Sequence, residues 1–173
     1  MHIDASTGEC LVFTFKEGLL SRVAHDLKLR CDTWSMEMTE EAISASFDSA
    51  AFTCINAMKN GKENPGALSA KDKAQVIDNM RDAVLNAKTH PTIDFVSQSV
   101  RRKGNALEVT GQLTITGKTN TVAAECRKIA SNWVVEVDIH QPDFGIKPYT
   151  ALMGAIKVKP TIKVRLKVPV LPG

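Results

Sequence analysis

Aromatic side chains are scarce. Phe, Trp and Tyr make up 5% of the 173 residues, and the net charge is only +3. A nucleic-acid surface would call for a stronger basic excess interleaved with aromatics, so no nucleic-acid partner is expected. Metal spacings are missing too. The four cysteines, Cys10, Cys31, Cys54 and Cys126, are scattered with no CxxC and no Cys/His pattern. Neither structural zinc nor a cofactor has support in that spacing. Such cysteines are expected as reduced, part-buried thiols of a cytoplasmic protein. The opening MHIDASTGECLVF has no basic stretch leading into an apolar run, so no signal peptide is expected. No stretch approaches the roughly 18 apolar residues of an integral membrane segment.

What the chain does have is alternation. In GAIKVKPTIKVRLKVPV, from Gly154 to Val170, Ile156, Val158, Ile162, Val164, Leu166, Val168 and Val170 share one parity. Lys157, Lys159, Lys163, Arg165 and Lys167 share the other. Side chains alternate faces along a strand, so the ribbon is apolar on one face and cationic on the other. The cations read as a solvated sheet face, and Pro160 predicts a bend or bulge. Residues 9–16 alternate as well, with Leu11, Phe13 and Phe15 on one side. Glu17 to Arg22 is a connector with a helical turn at Leu19-Leu20. Residues 24–38 change phase: His25, Leu27, Leu29 and Cys31 share a parity, and Trp34, Met36 and Met38 take the other. An extra residue near Asp32-Thr33 would accommodate that change. Thr39 to Glu41 is a hairpin turn, a strand runs from Ile43 to about Ile55, and residues 60–66 are loop.

Ser69 to Lys88 is the main helix. Ser69 and Asp72 match a capping box. Ile77, Met80, Val84 and Ala87 form a stripe that packs on the sheet, and Pro91 ends the helix. A meander follows, with strands around Ile93-Phe95, Leu107–Ile115, Val122–Cys126 and Val135–Ile139 and turns at Gly104, Gly117 and Ser131. Residues 142–154 are irregular. The count comes to about eight antiparallel strands and one helix. The predicted fold is all-β: an eight-stranded up-and-down barrel with the helix inserted in mid-chain, spanning residues 1–173 as one domain.

GQLTITGKT, from Gly111 to Thr119, has five residues between its glycines, and its spacer alternates like a strand; a phosphate loop would have four and lead into a helix. Asp143-Phe144-Gly145 stands without the other kinase motifs. His25 cannot readily pair with the adjacent Asp26, which points to the opposite face. It is read as a rim histidine or a polar anchor for a ligand head. Met36, Met38 and Met153 read as core filler. An eight-stranded barrel is filled by side chains or holds one small ligand. With few aromatics, and with Cys31, Ala45, Gly111, Ala124 and Cys126 on the apolar parities, a dry cavity is expected.

Pro91-Thr92-Ile93-Asp94-Phe95, then Gly111 to Thr119, then Asp143-Phe144-Gly145-Ile146 come in an order and spacing that resemble YceI-like proteins. That resemblance extends from Leu11 to Val170. It implies a lipocalin-like barrel with a helix over one end, binding long-chain amphipathic lipids, chiefly polyisoprenoids, with no catalytic residues. Two departures are expected: the export signal that many family members carry is not read at the start of this sequence, and the usual aromatic-rich stretch is here Met80-Arg81-Asp82-Ala83-Val84-Leu85-Asn86.

The functional expectation is a carrier of a polyisoprenoid or other long-chain lipid, with no enzymatic step. Phe13, Phe15, Leu27, Leu29, Phe95, Leu113, Ile115 and Ile156 would line the cavity. His25, Arg22 or Arg81 would meet the lipid head. One alternative is a small barrel enzyme using His25 and a thiol such as Cys31. Another is a stress or interaction protein with a filled barrel. A homodimer stays open.

Overall fold

Alternation becomes strand almost everywhere. The computed structural model describes residues 1–18 and 24–170. In chain order it contains β1 (His2–Asp4), β2 (Glu9–Thr14), β3 (Asp26–Cys31), β4 (Trp34–Met38), β5 (Ile43–Asp48), β6 (Phe52–Lys59), β7 (Lys62–Asn64), α1 (Ala70–Asn79), β8 (Thr92–Lys103), β9 (Ala106–Ile115), β10 (Lys118–Ile129), β11 (Asn132–His140), β12 (Thr150–Ala151), β13 (Ile156–Lys157) and β14 (Thr161–Pro169). Among the described residues, twelve strands form one curled sheet in the order β1-β4-β5-β8-β9-β10-β11-β14-β2-β3-β6-β7, while β12 and β13 pair separately.

The early strand pairs with the last ribbon as expected: Phe13 lies opposite Lys163, Leu11 opposite Arg165 and Glu9 opposite Lys167. The expected closed eight-stranded barrel is not what forms. The sheet has two free ends, β1 and β7, because the long strands break at corners. Cys31 faces Phe52 and Trp34 faces Phe47, so Asp32 and Thr33 on one side span Asp48 to Ala51 on the other. The Asp32 N–H donates to the Ala51 carbonyl at 2.8 Å, and the Asp48 N–H donates to the Thr33 carbonyl at 3.0 Å. This corner performs the phase change, and both Cys31 and Trp34 end up buried. A bulge in the β3–β6 pairing between Lys28 and Leu29 bends the sheet further.

Other boundaries move. The strand expected from Ile43 to about Ile55 is two strands, and the second reaches Lys59; the loop at 60–66 contains β7. Both hydrogen bonds of the Ser69–Asp72 capping box form. The α-helix stops at Asn79 and continues as a π-helical turn, Met80–Val84, short of Lys88. The last ribbon divides around Pro160, as a residue without an N–H requires. The turn expected at Leu19-Leu20, and Arg22, lie outside the described residues.

One end of the curl is filled. Ile3, Trp34, Met38, Leu107, Trp133 and Val168 are buried together there. A Cβ on Gly8 would stand 2.7 Å from the Trp34 ring. At the other end, Leu85, Ile115, Ile139, Phe144 and Ile146 form a second cluster. Met153, expected as core filler, is fully exposed.

Candidate functional site: an apolar cavity under the helix

The inward parity of each strand is apolar, and the space between these faces is not filled. It is a cavity of about 800 Å³, toward the upper part of the roughly 300–1,000 Å³ typical of ligand pockets. Its walls repeat every second residue: Leu27 and Leu29 on β3, Val122 and Ala124 on β10, Val135 and Val137 on β11, and Val164 and Leu166 on β14. The helix side closes over it with Val76, Met80 and Val84, the last two from the stripe expected to pack on the sheet. Polar groups gather where the wall meets the helix and loops: His25, Asp72, Gln75, Asn79, Tyr149 and Lys157.

Of the residues expected to line the cavity, Leu27, Leu29, Phe95, Leu113, Ile115 and Ile156 do so, and His25 stands among them. Phe13 and Phe15 do not. Cys10, Val12 and Thr14 take the inner face of β2 instead, and Phe13 lies outside with the Arg165 guanidinium 5.2 Å above its ring. Arg81 is not a wall residue either. Its guanidinium binds Asp82 at 2.8 Å and Asp78 at 3.0 Å, and these carboxylates raise its pKa further.

Sequence reasoning missed Thr14. Its hydroxyl is buried on the cavity side and has no hydrogen-bond partner among the described residues. Nothing in the alternation marks it, because Thr is common in strands.

Burial disfavours the thiolate at the three cavity cysteines. Burial pushes the Cys31 thiol up to about 12 and the Cys126 thiol up to about 11, and it raises Cys10 as well. Cys31 donates to the Thr33 carbonyl at 3.4 Å. His25 precedes β3 and Cys31 ends it, so six residues at about 3.3 Å each set them roughly 20 Å apart. A His25–Cys31 catalytic pair does not form. Among the described residues, no group of three or more His, Cys, Asp or Glu side chains is placed to hold a metal ion.

The three stretches that carry the family resemblance build the walls and their support. Ile93 and Phe95 face the cavity, while Asp94 between them accepts from the Ser46 hydroxyl at 2.6 Å. Gly111 to Thr119 is a strand, a turn and a strand, with no phosphate loop. Its Thr116 hydroxyl donates to the Phe144 carbonyl at 2.7 Å. Asn120, just beyond, donates to the Asp143 carbonyl at 2.9 Å. The second and third stretches are therefore tied together at the helix end of the sheet.

The fold is shared with solved structures. The crystal structure of Burkholderia cenocepacia BcnA aligns with a TM-score of 0.69 at 15% identity, over 97% of this chain and 99% of that one. A Saccharophagus degradans polyisoprenoid binding domain implicated in plant cell wall breakdown aligns at 0.60 and 11% identity, over 98% and 97%. The Campylobacter jejuni YCEI protein aligns at 0.59 and 14%, over 90% and 88%. No curated protein matches the chain. The sequence profile of the YceI-like domain matches residues 10–170. With nearly its whole length matched and its three motif stretches building one cavity, the chain belongs to the YceI-like family.

Proposed function

We propose that the curled sheet works as a lipocalin-like barrel that holds a long-chain, polyisoprenoid-like lipid, and that the protein carries it without a chemical step. The observation that supports this most is the cavity of about 800 Å³ walled by aliphatic side chains. Such a wall offers a tail no directional bonds, only removal from water. An isoprene unit has about five carbons, so each buried unit contributes roughly 4 kcal/mol before the cost of immobilising it. The polar atoms at the helix end suit a single head group. The solved polyisoprenoid binding domain from Saccharophagus degradans shares the fold and lends the reading its ligand class.

The filled-barrel alternative does not fit a cavity of this size, and the enzyme alternative lacks a His25 contact with Cys31, the thiol named for it. Free thiols at all four cysteines favour a reducing, cytoplasmic setting. Mass spectrometry of an organic extract of the purified protein tests the carrier. A stoichiometric long-chain lipid is expected. An empty protein that also fails to take up polyprenol would sink the reading.

A further inference from the structure

Among the described residues, the large apolar side chains left exposed are Val96 and Ile129, both 58%, Leu152 at 65% and Met153 at 108%. Val96 and Ile129 stand singly on β8 and β10, as scattered surface apolar residues often do. Leu152 and Met153 are adjacent, at the tip of the small β12–β13 hairpin. Their backbones lie in the left-handed region, with φ of 50° and 55°. That conformation is costly for residues with a Cβ, and here it holds two apolar side chains at the surface.

The position of the tip is informative. Tyr149, Ala151, Leu152, Ile156 and Val158 of the same hairpin line the cavity, so the exposed tip is part of its rim. The charge within the hairpin segment itself has one sign. Residues 147–159, KPYTALMGAIKVK, contain Lys147, Lys157 and Lys159 and no Asp or Glu. All three lysines are exposed. Lys157 pairs with the Glu17 carboxylate at 2.9 Å.

We propose that this hairpin is a membrane-docking tip: Leu152 and Met153 enter the surface of an anionic bilayer while the flanking lysines meet its head groups. Two side chains on a narrow turn are too small a patch for a stable protein interface, which needs about 800 Å² per partner. An apolar wedge flanked by cations is what a bilayer interface accepts. Docked this way, the rim of the cavity meets the lipid phase, and a tail could pass without crossing water. The surface itself rests on exposure and charge; its purpose rests on the carrier reading.

The test is flotation with vesicles of phosphatidylcholine plus phosphatidylglycerol, against phosphatidylcholine alone. The wild type should float with the anionic vesicles and release as salt rises. L152S/M153S should lose binding by about tenfold or more, with an unchanged circular-dichroism melt. V96S/I129S should bind as the wild type does. In M153W, the added indole should shift its emission to the blue on vesicle addition. No flotation of the wild type, equal loss in the two double variants, or no shift in M153W would overturn the proposal. Flotation by a protein whose extract holds no lipid and that fails to take up polyprenol would uphold this surface and reject the carrier. A lipid-loaded protein that ignores vesicles would do the reverse.

Discussion

The Phe95 ring lies against Gly111 so closely that a Cβ there would stand 2.5 Å from the ring's Cζ. It would also stand 2.5 Å from the Val96 carbonyl oxygen, which is backbone and cannot swing away. The glycine therefore makes room for a cavity-wall aromatic on the neighbouring strand. Gly111→Ala should cost about 1–3 kcal/mol by overpacking, read as a lower urea midpoint. A variant as stable as the wild type would mean that the ring has somewhere else to go.

Leu113 is a wall residue, and Phe95 lies opposite it across β8–β9. If the space beyond it holds lipid, Leu113→Trp should expel the tail and leave the melting temperature nearly unchanged. In a filled core the same change should cost about 1–3 kcal/mol. Melting and lipid retention, measured on one preparation, separate the two. Loss of stability with no change in retention would argue against a lipid at this depth.

Thr14 carries a buried hydroxyl without a partner among the described residues. Such a group costs about 1–3 kcal/mol until something bonds it. Thr14→Val keeps the shape and removes the oxygen. Lipid-free protein should become more stable by up to about that amount, and polyprenol retention should fall. Retention equal to wild type would exclude a bond between Thr14 and the lipid head.

On the outer face of the sheet, Glu136 of β11 accepts from Arg165 of β14 at 2.6 and 2.7 Å, with Lys163 at 3.6 Å. The bond from Arg165 holds its carboxyl below the ordinary value of 4.5. A carboxyl depressed in the folded state stabilises fully above its unfolded pKa, and that contribution is lost as pH falls through the folded one. The groups are more than a third exposed, so solvent screening keeps the contribution under about 1 kcal/mol. Glu136→Gln should have a lower urea midpoint at neutral pH, and the gap should narrow toward about pH 3. A gap that persists in acid would assign the loss to packing rather than charge.

Much of this architecture was legible in the chain. Two-residue alternation marked most strands, because a strand has no other way to divide apolar from polar side chains. The capping box marked the start of the helix, since Ser69 and Asp72 satisfy each other's backbone within one turn. The ribbon after Pro160 revealed its own inside, because every residue on one parity is aliphatic, while the other carries Lys163, Arg165 and Lys167. The corners were less legible. The phase change at Asp32-Thr33 was visible, but whether it would be a bulge or a strand break depends on Asp48 to Ala51, which lie opposite it only in the folded sheet.

For β2 the sequence alone could not decide which face is inside. Leu11 and Phe13 are as apolar as Cys10 and Val12, so burying either parity looks favourable locally. The pairing with β14 decided it. Residues opposite each other on neighbouring strands share a face, and Leu166 lies opposite Cys10, Val164 opposite Val12, and Arg165 opposite Leu11. The cationic parity of β14 must stay in water, so it sets Leu11 and Phe13 on the outer face, where Leu11 is still buried and Arg165 covers the Phe13 ring. Alternation within one strand settled which side chains travel together. Only the register between two strands, distant in sequence, settled that Val12 and Thr14 face the cavity.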